Sequence, residues 1–329
     1  MGGAGMNKDR LLIGTILAVS VAGILYFGYR AVRDNTKNDQ RNPFAYDIQS
    51  FKGKGTDLVQ YSEKGRIPIE LPSVSGIAVG PDDTIYVSGG DSVLAFDNDG
   101  TTRSSFKSNS PVRCLAVNQN HDLYLGMEDH IEIYNLKGER QAIWESLGEQ
   151  AIITSIAIAA NGVFIADAGN KTVWKFDRSG ARLRRIGDKD EAKDIPGFII
   201  PSPYFDVAVD DDGFLWVANT GRHSLENYSA DGDFRTSWGE FGMEIHGFAG
   251  CCNPSHFTLL EDGSFVTSEK GLPRVKVYNR IGELVSVVAS TEQFLEGTVG
   301  LDLAVDSLQR IYVLDPMQKL VRIFVKNEQ

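Results

Sequence analysis

Cysteine is nearly absent: three in 329 residues, too few for a disulfide-built scaffold. Cys114 stands alone and Cys251 and Cys252 are adjacent, so no CxxC pair exists for a ribbon-type zinc site. Other chemical signatures are missing too. There is no glycine-rich phosphate loop, no HExxH zinc helix and no nucleophile elbow. The five histidines (His121, His130, His223, His246 and His256) therefore belong to no recognisable triad. Excess positive charge is lacking as well. The formal net charge is -11, and residues 1–43 alone hold six Lys/Arg against three Asp/Glu. The remainder is thus close to -14, which argues against nucleic acid as a partner because phosphate recognition needs a basic face.

Long hydrophobic runs are absent with one exception. Leu11 to Tyr29 holds no charged residue and is dominated by Leu, Ile, Val, Ala and Gly. As a helix it would reach about 28 Å, close to the hydrocarbon core of a bilayer. The apolar part of a cleaved signal is shorter, and no small-x-small site follows at Tyr29-Arg30-Ala31. We expect a tail at 1–10, an uncleaved transmembrane signal anchor at 11–29, a linker at 30–56 and a folded body at 57–329. Lys8 and Arg10 precede the span, whereas Arg30, Arg33, Lys37 and Arg41 follow it. That count alone would leave the body in the cytoplasm, but long folded domains translocate largely regardless of it. The expectation is a single-pass membrane protein with an extracytoplasmic body, periplasmic in a bacterium.

What the body does contain is a repeat. An alternating apolar strand is followed by a polar turn, a second strand, a short turn and a third strand ending in an aromatic residue. The first strands begin at Gly76, Cys114, Ser155, Asp206, His256 and Asp302, and the third close on Phe96, Tyr134, Phe176, Tyr228, Tyr278 and Phe324. A period of about 40–50 residues with several short strands per unit signals a β-propeller blade. Turns such as Asp99-Gly100, Ser179-Gly180 and Asp231-Gly232 place Gly where positive φ is needed. The fold class expected is all-β, a six-bladed propeller. The last unit stops soon after its third strand, and a ring must close because an open edge invites mispairing. Leu58–Tyr61 or Arg66–Glu70 is expected to supply the missing outer strand, where Pro68 suits an edge.

Asp167-Ala168-Gly169-Asn170 through Trp174-Lys175-Phe176-Asp177, and Ala218-Asn219-Thr220-Gly221-Arg222 through Asn227-Tyr228, resemble NHL repeats. The resemblance covers roughly residues 70–325. The second and sixth units depart from it at Met127-Glu128-Asp129 and Leu314-Asp315-Pro316-Met317. The resemblance implies an NHL-type propeller, a fold that serves both binding platforms and enzymes. Enzymes of this kind hold a metal on the axis through His or acidic side chains, and the matching positions would be His256, Asp206 and Asp302.

Repeat symmetry alone brings the six first residues to one channel mouth. Cys114, Asp206, His256 and Asp302 are metal-ligand types, so a divalent metal on the axis is one expectation. Hydrogen-bonded capping of the inner strands is the other. Gly250-Cys251-Cys252-Asn253-Pro254-Ser255-His256 is the most unusual segment. Its thiols would form a vicinal disulfide, hold a metal or bind a ligand, or would be two small buried groups. Glu269, Lys270 and Arg274 alternate with apolar residues and face either the same mouth or solvent. The leading functional expectation is a membrane-tethered binding or assembly module for a protein or small ligand, with lips at Lys189–Pro203 and Gly239–Pro254. Two alternatives stand beside it. One is a metal-dependent lyase or hydrolase, with His256, Asp206 and Glu269 as catalytic candidates. The other is a redox or metal-handling protein using Cys251 and Cys252. Whichever reading holds, the ligand-binding candidates are Cys251, Cys252, His256, Lys270 and Arg274.

Overall fold

The computed structural model describes residues 55–328 apart from 192–194 and 196, together with Gly23, Tyr26 and Gly53. The chain divides after Ile48, and the described residues fall almost wholly in the second unit, Gln49–Gln329. The expected span Leu11–Tyr29 lies outside them except for Gly23 and Tyr26. Among the described residues no helix is long and apolar enough to cross a membrane.

Among the described residues, twenty-four strands form six four-stranded antiparallel sheets. The first strand, β1 (Tyr61–Pro68), stands apart. Blade 1 follows as β2 (Gly76–Val79), β3 (Ile85–Gly89), β4 (Ser92–Phe96) and β5 (Thr102–Lys107). Blade 2 is β6 (Cys114–Val117), β7 (Leu123–Gly126), β8 (Ile131–Tyr134) and β9 (Arg140–Ile143). Blade 3 is β10 (Ile153–Ala159), β11 (Gly162–Asp167), β12 (Thr172–Phe176) and β13 (Arg182–Ile186). Blade 4 is β14 (Val207–Val209), β15 (Leu215–Asn219), β16 (Ser224–Tyr228) and β17 (Phe234–Trp238). Blade 5 is β18 (His256–Leu259), β19 (Phe265–Glu269), β20 (Arg274–Tyr278) and β21 (Leu284–Ala289). Blade 6 is β22 (Asp302–Val305), β23 (Ile311–Asp315) and β24 (Leu320–Lys326), and its outer strand is β1. The ring therefore closes by pairing Tyr61 with Lys326 through to Pro68 with Leu320. Both expected closing segments contribute: the strand takes Tyr61 from the first and Arg66–Pro68 from the second.

Six apolar clusters hold the ring, one between each pair of neighbouring blades. Between blades 3 and 4, for instance, Phe164, Ala166 and Val173 meet Phe205, Val207 and Val217. Each such side chain contributes about 1.5–3 kcal/mol by leaving water. The closing aromatics of the third strands sit within these interfaces, Phe176 stacking on Trp144 of the preceding blade at 5.1 Å. The bottom turns bring the blades this close. Gly180 has φ +90°, and a Cβ there would come within 2.5 Å of the Trp144 ring. In every one of blades 1 to 5 the register between third and fourth strands slips just before the closing aromatic, as between Lys175 and Phe176. Such a bulge increases twist, which turns the outer strand away from the axis.

Candidate functional site at the channel mouth

The inner strands all begin at one face, called the upper face below. The channel there is a small cavity of about 240 Å³ lined by Cys114, Ser155, Asp206, His256 and Asp302, among others. The five side chains expected at the mouth are thus brought together, and Gly76 heads the inner strand of blade 1.

These side chains stitch neighbouring blades. Asp206 Oδ2 accepts the backbone N–H of Phe257 in the next blade at 2.8 Å, and its Oδ1 accepts that of Val207 at 2.9 Å. Asp302 repeats the pattern two blades further on: Oδ2 accepts from Ile77 N at 2.9 Å and Oδ1 from Leu303 N at 2.8 Å. Ser155 Oγ takes the equivalent N–H of Val207 at 3.3 Å. Strand-start amides of this kind have no partner within their own sheet, so a carboxylate that satisfies two of them removes a desolvation cost of about 1–3 kcal/mol each. Hydroxyls add a second set of latches. Ser75 Oγ donates to Val112 O, Thr154 Oγ1 to Phe205 O and Ser268 Oγ to Leu301 O, each at 2.6 Å and each to the following blade.

His256 lies between the two carboxylates, its Nδ1 3.4 Å from Asp302 and 3.7 Å from Asp206. Burial opposes a proton on the ring, but the Asp302 and Asp206 charges outweigh it and hold its pKa above the usual histidine value. Burial pushes Asp302 above the ordinary carboxylate range despite the imidazole beside it. Burial likewise raises the Cys114 thiol, and the negative charges of Asp302 and Asp206 add to that. It is a neutral, packed group rather than a thiolate ligand. The metal expected on the axis does not fit these residues. Each carboxylate oxygen already accepts a backbone N–H, and the imidazole meets both carboxylates through one nitrogen. Among the described residues no group of three or more His, Cys, Asp or Glu is arranged to hold a metal ion.

The two longest crossovers on this face, from β13 to β14 and from β17 to β18, are the lips, at the places that the spacing of the repeats indicated. The first is tied down by Asn219, whose Oδ1 accepts Ile199 N at 2.9 Å while its Nδ2 donates to buried Glu226 at 2.8 Å. Phe198 anchors it further by packing on Phe205 and Tyr228. The second is fastened from beneath by three buried charges. Glu269, Arg274 and Lys276 are 0, 2 and 0 % exposed. Glu269 Oε1 receives Arg274 Nε and Lys276 Nζ at 2.7 Å each, and its Oε2 receives the backbone N–H of Ala249 at 2.7 Å. Arg274 then donates to Gly247 O at 3.0 Å and Glu244 O at 3.2 Å, and Lys276 to Gly247 O at 2.8 Å and Ile245 O at 3.0 Å. Burial lowers the Lys276 pKa to about 7 even with Glu269 alongside. The two cations more than offset the burial of Glu269 and keep its pKa below the usual value. Glu269 and Arg274 therefore neither line the channel nor face solvent. They are the inner fastening of the lip.

Lys270 is different. Its Nζ reaches Ser202 Oγ at 3.1 Å and lies 4.6 Å from the centre of the Tyr204 ring. That ring meets the His256 ring edge-on at 6.0 Å. Lys270 and Tyr204 thus form a bridge between the two lips directly beside His256. Tyr204 was not expected from the sequence; only its place in the longest crossover hinted at it. Cys251 and Cys252 occupy the same lip as free thiols, Cys251 exposed and Cys252 buried, their sulfurs 3.1 Å apart. Their segment is clamped by Asn253, which donates to Ala249 O and Lys270 O and accepts Lys270 N. His223 Nε2 contacts Gly250 O at 2.7 Å. The hydrogen bond with Cys252, then burial, raises the Cys251 pKa above that of a free thiol.

No protein-family model and no curated protein sequence matches the chain. Solved structures do. The chain is similar to a streptogramin B lyase (TM-score 0.57, 12 % identity, 81 % of this chain and 98 % of that one). It is similar to virginiamycin B lyase from Staphylococcus aureus (TM-score 0.53, 12 % identity, 77 % and 81 %). It is also similar to a protein of unknown function from Bacteroides thetaiotaomicron (TM-score 0.58, 14 % identity, 80 % and 75 %). At such identities the likeness establishes the six-bladed propeller fold and nothing narrower.

Proposed function

We propose that the protein is a membrane-tethered binding propeller, held by Leu11–Tyr29 with its ring outside the cytoplasm, that takes a protein or small ligand on its upper face. The observation that carries this reading is the internal fastening of the 239–255 lip by Glu269, Arg274 and Lys276. Burying three charges is expensive, and the bonds they make converge on loop carbonyls rather than on the strands. The result is a fixed loop above the mouth. A fixed loop loses little entropy on meeting a ligand, which is what a recognition surface needs. Lys270 and Tyr204 supply a cation and an aromatic face inside the lip, and Phe241 and Ile199 present apolar surface at its edge.

The alternative, a metal-dependent lyase or hydrolase, draws on the convergence of Asp206, His256 and Asp302. It is weakened by the use of both carboxylates as backbone caps. A photo-crosslinking residue placed at Phe241 or Ile199 in the full chain tests the binding reading in the native cell. One discrete adduct is expected from both lip positions and none from Leu183 on the outer edge of blade 3. Equal labelling at all three positions would sink it. A stoichiometric divalent metal in the purified full chain, lost in His256→Ala and Asp206→Ala, would transfer support to the lyase or hydrolase.

A further inference from the structure

The exposed large apolar side chains of the upper face are not spread around the mouth. Ile199, Phe241, Leu295, Val299 and Met317 are 40–57 % exposed or close to it, at 46, 50, 51, 44 and 47 %. All five sit in crossovers or upper turns of blades 4 to 6. Ile199 and Phe241 flank the turn Thr220–Arg222, since Gly221 N donates to Ile199 O at 2.9 Å and Phe241 lies 5.2 Å from the His223 ring. Leu295, Val299 and Met317 form a second group, joined where Thr298 Oγ1 meets Met317 Sδ at 3.7 Å and Leu295 O at 2.7 Å. Two groups of exposed apolar side chains on one side of the upper face mark a site of contact.

A second observation concerns where the chain enters the ring. Gly53 lies against Glu292, so closely that a Cβ would come within 3.0 Å of its carboxylate. Gly55 lies against Ile245, where a Cβ would come within 2.6 Å. Glu292 and Ile245 belong to the crossovers that carry Leu295 and Val299 on one side and Phe241 on the other. The chain thus passes beside the crossovers that carry the rim before it enters β1 at Tyr61. Ahead of it in the sequence stand residues 30–52. Beyond them lies the uncharged segment Leu11–Tyr29.

We propose that the upper rim of blades 4 to 6 rests on the surface of a phospholipid bilayer, so that the mouth receives a ligand borne by the membrane. This deepens the binding reading above and rests on its membrane tether. The charge of the remainder after residue 43, close to -14, gives the body no attraction to anionic headgroups, so the contact is apolar and suits a zwitterionic surface. It also accounts for a lip built from inside. A rim that presses into headgroups must keep its shape there, and Glu269, Arg274 and Lys276 hold it from the side away from the lipid.

Single tryptophans at exposed positions test this in the full chain reconstituted into phosphatidylcholine vesicles with brominated acyl chains. The native tryptophans are subtracted using the unsubstituted chain. Leu295→Trp and Val299→Trp should show at least twofold more lipid quenching than Ile281→Trp, which sits on the opposite face and is 72 % exposed. Their emission should also shift to the blue. Three results would overturn the proposal: equal quenching on both faces, failure of the chain to float with the vesicles, or a blue shift that grows with protein density without quenching. The last would assign the rim to a second copy of the chain. Failure here is separable from failure of the binding reading. Unquenched rim probes together with a discrete crosslink from Phe241 keep the ligand and remove the bilayer, whereas quenched probes without any crosslink do the reverse.

Discussion

In blades 1 to 3 the chain reaches each inner strand through short upper crossovers: residues 69–75, 108–113 and 144–152. In blades 4 to 6 the same crossovers are residues 187–206, 239–255 and 290–301. The sheets beneath are alike in strand number and order. What differs is what stands on them. The first half carries small polar latches such as Ser75 and Thr154. None of the exposed large apolar side chains there lies in an upper crossover or upper turn. The second half carries buried charge clusters, the Tyr204–Lys270 bridge, two adjacent thiols and all five apolar rim residues. The ring is therefore a uniform scaffold with function concentrated on one side, as expected where rigid elements position variable loops.

The largest break in that asymmetry should come from Glu269→Gln. It leaves Arg274 and Lys276 buried without a counter-charge and should destabilise the ring by about 3–5 kcal/mol in urea unfolding. A control in the first half, Glu128→Gln, removes the exposed partner of Arg113 and should cost no more than about 1 kcal/mol. Similar losses from both would show that the buried cluster holds nothing up.

A middle effect belongs to the mouth. Asp206→Ala strands the amide of Phe257, while that of Val207 keeps Ser155 Oγ, with an expected loss of about 1–3 kcal/mol. His256 adds a pH signature. Its folded pKa is raised, so its contribution is fully present below the unfolded value near 6.5 and fades as pH rises through the folded one. The stability difference between wild type and His256→Gln should shrink as pH climbs above about 6.5. A difference that is flat from pH 5.5 to 8.5 would remove the imidazole–carboxylate interaction.

Most of the first half could be read directly from the sequence, and much of the second could not. Inner and middle strands show because alternation survives wherever a sheet packs between two others, as in Gly76–Val79 and Ile85–Val87. Outer strands do not show. Thr102–Lys107 and Arg182–Ile186 are mostly exposed and carry no apolar period. The six mouth residues were legible because repeat symmetry places them together. Their partners were a choice between a metal and the backbone, and the carboxylates have the backbone. The charges of blade 5 misled in a specific way. Glu269, Arg274 and Lys276 alternate with apolar residues as a solvated strand would, and only the 240–249 segment folded over them puts them inside. Tyr204 was invisible for the same reason, since its contact with His256 spans about fifty positions.

Lys276 gives a pH effect with the opposite sign to that of His256. Its folded pKa is lowered to about 7, against about 10.5 when unfolded, so the unfolded chain binds more protons between those values. Wild type should therefore gain stability relative to Lys276→Met as pH rises from 7 towards 10, and the gap should be constant below 7. The reverse slope would mean that the amine stays charged throughout and that Glu269 holds it more strongly than burial penalises it.

The smallest effect is kinetic and touches only the lip. Cys251 is exposed, whereas Cys252 and Cys114 are buried, so one thiol of three should react with a disulfide reagent in the native protein and all three in denaturant. Because the hydrogen bond with Cys252 raises the Cys251 pKa, little thiolate is present at neutral pH and the native reaction should be slow, accelerating about tenfold per pH unit up to roughly pH 9. Two fast native thiols would mean that the lip opens, and would weaken the contrast between a fixed second half and the plain first half. No native reaction, with thiols recovered only after reductant, would mean that Cys251 and Cys252 are joined, and would move the lip from recognition towards redox chemistry. One slow thiol fits a lip whose shape is held by Asn253 and Glu269, with the sulfurs as passengers on it.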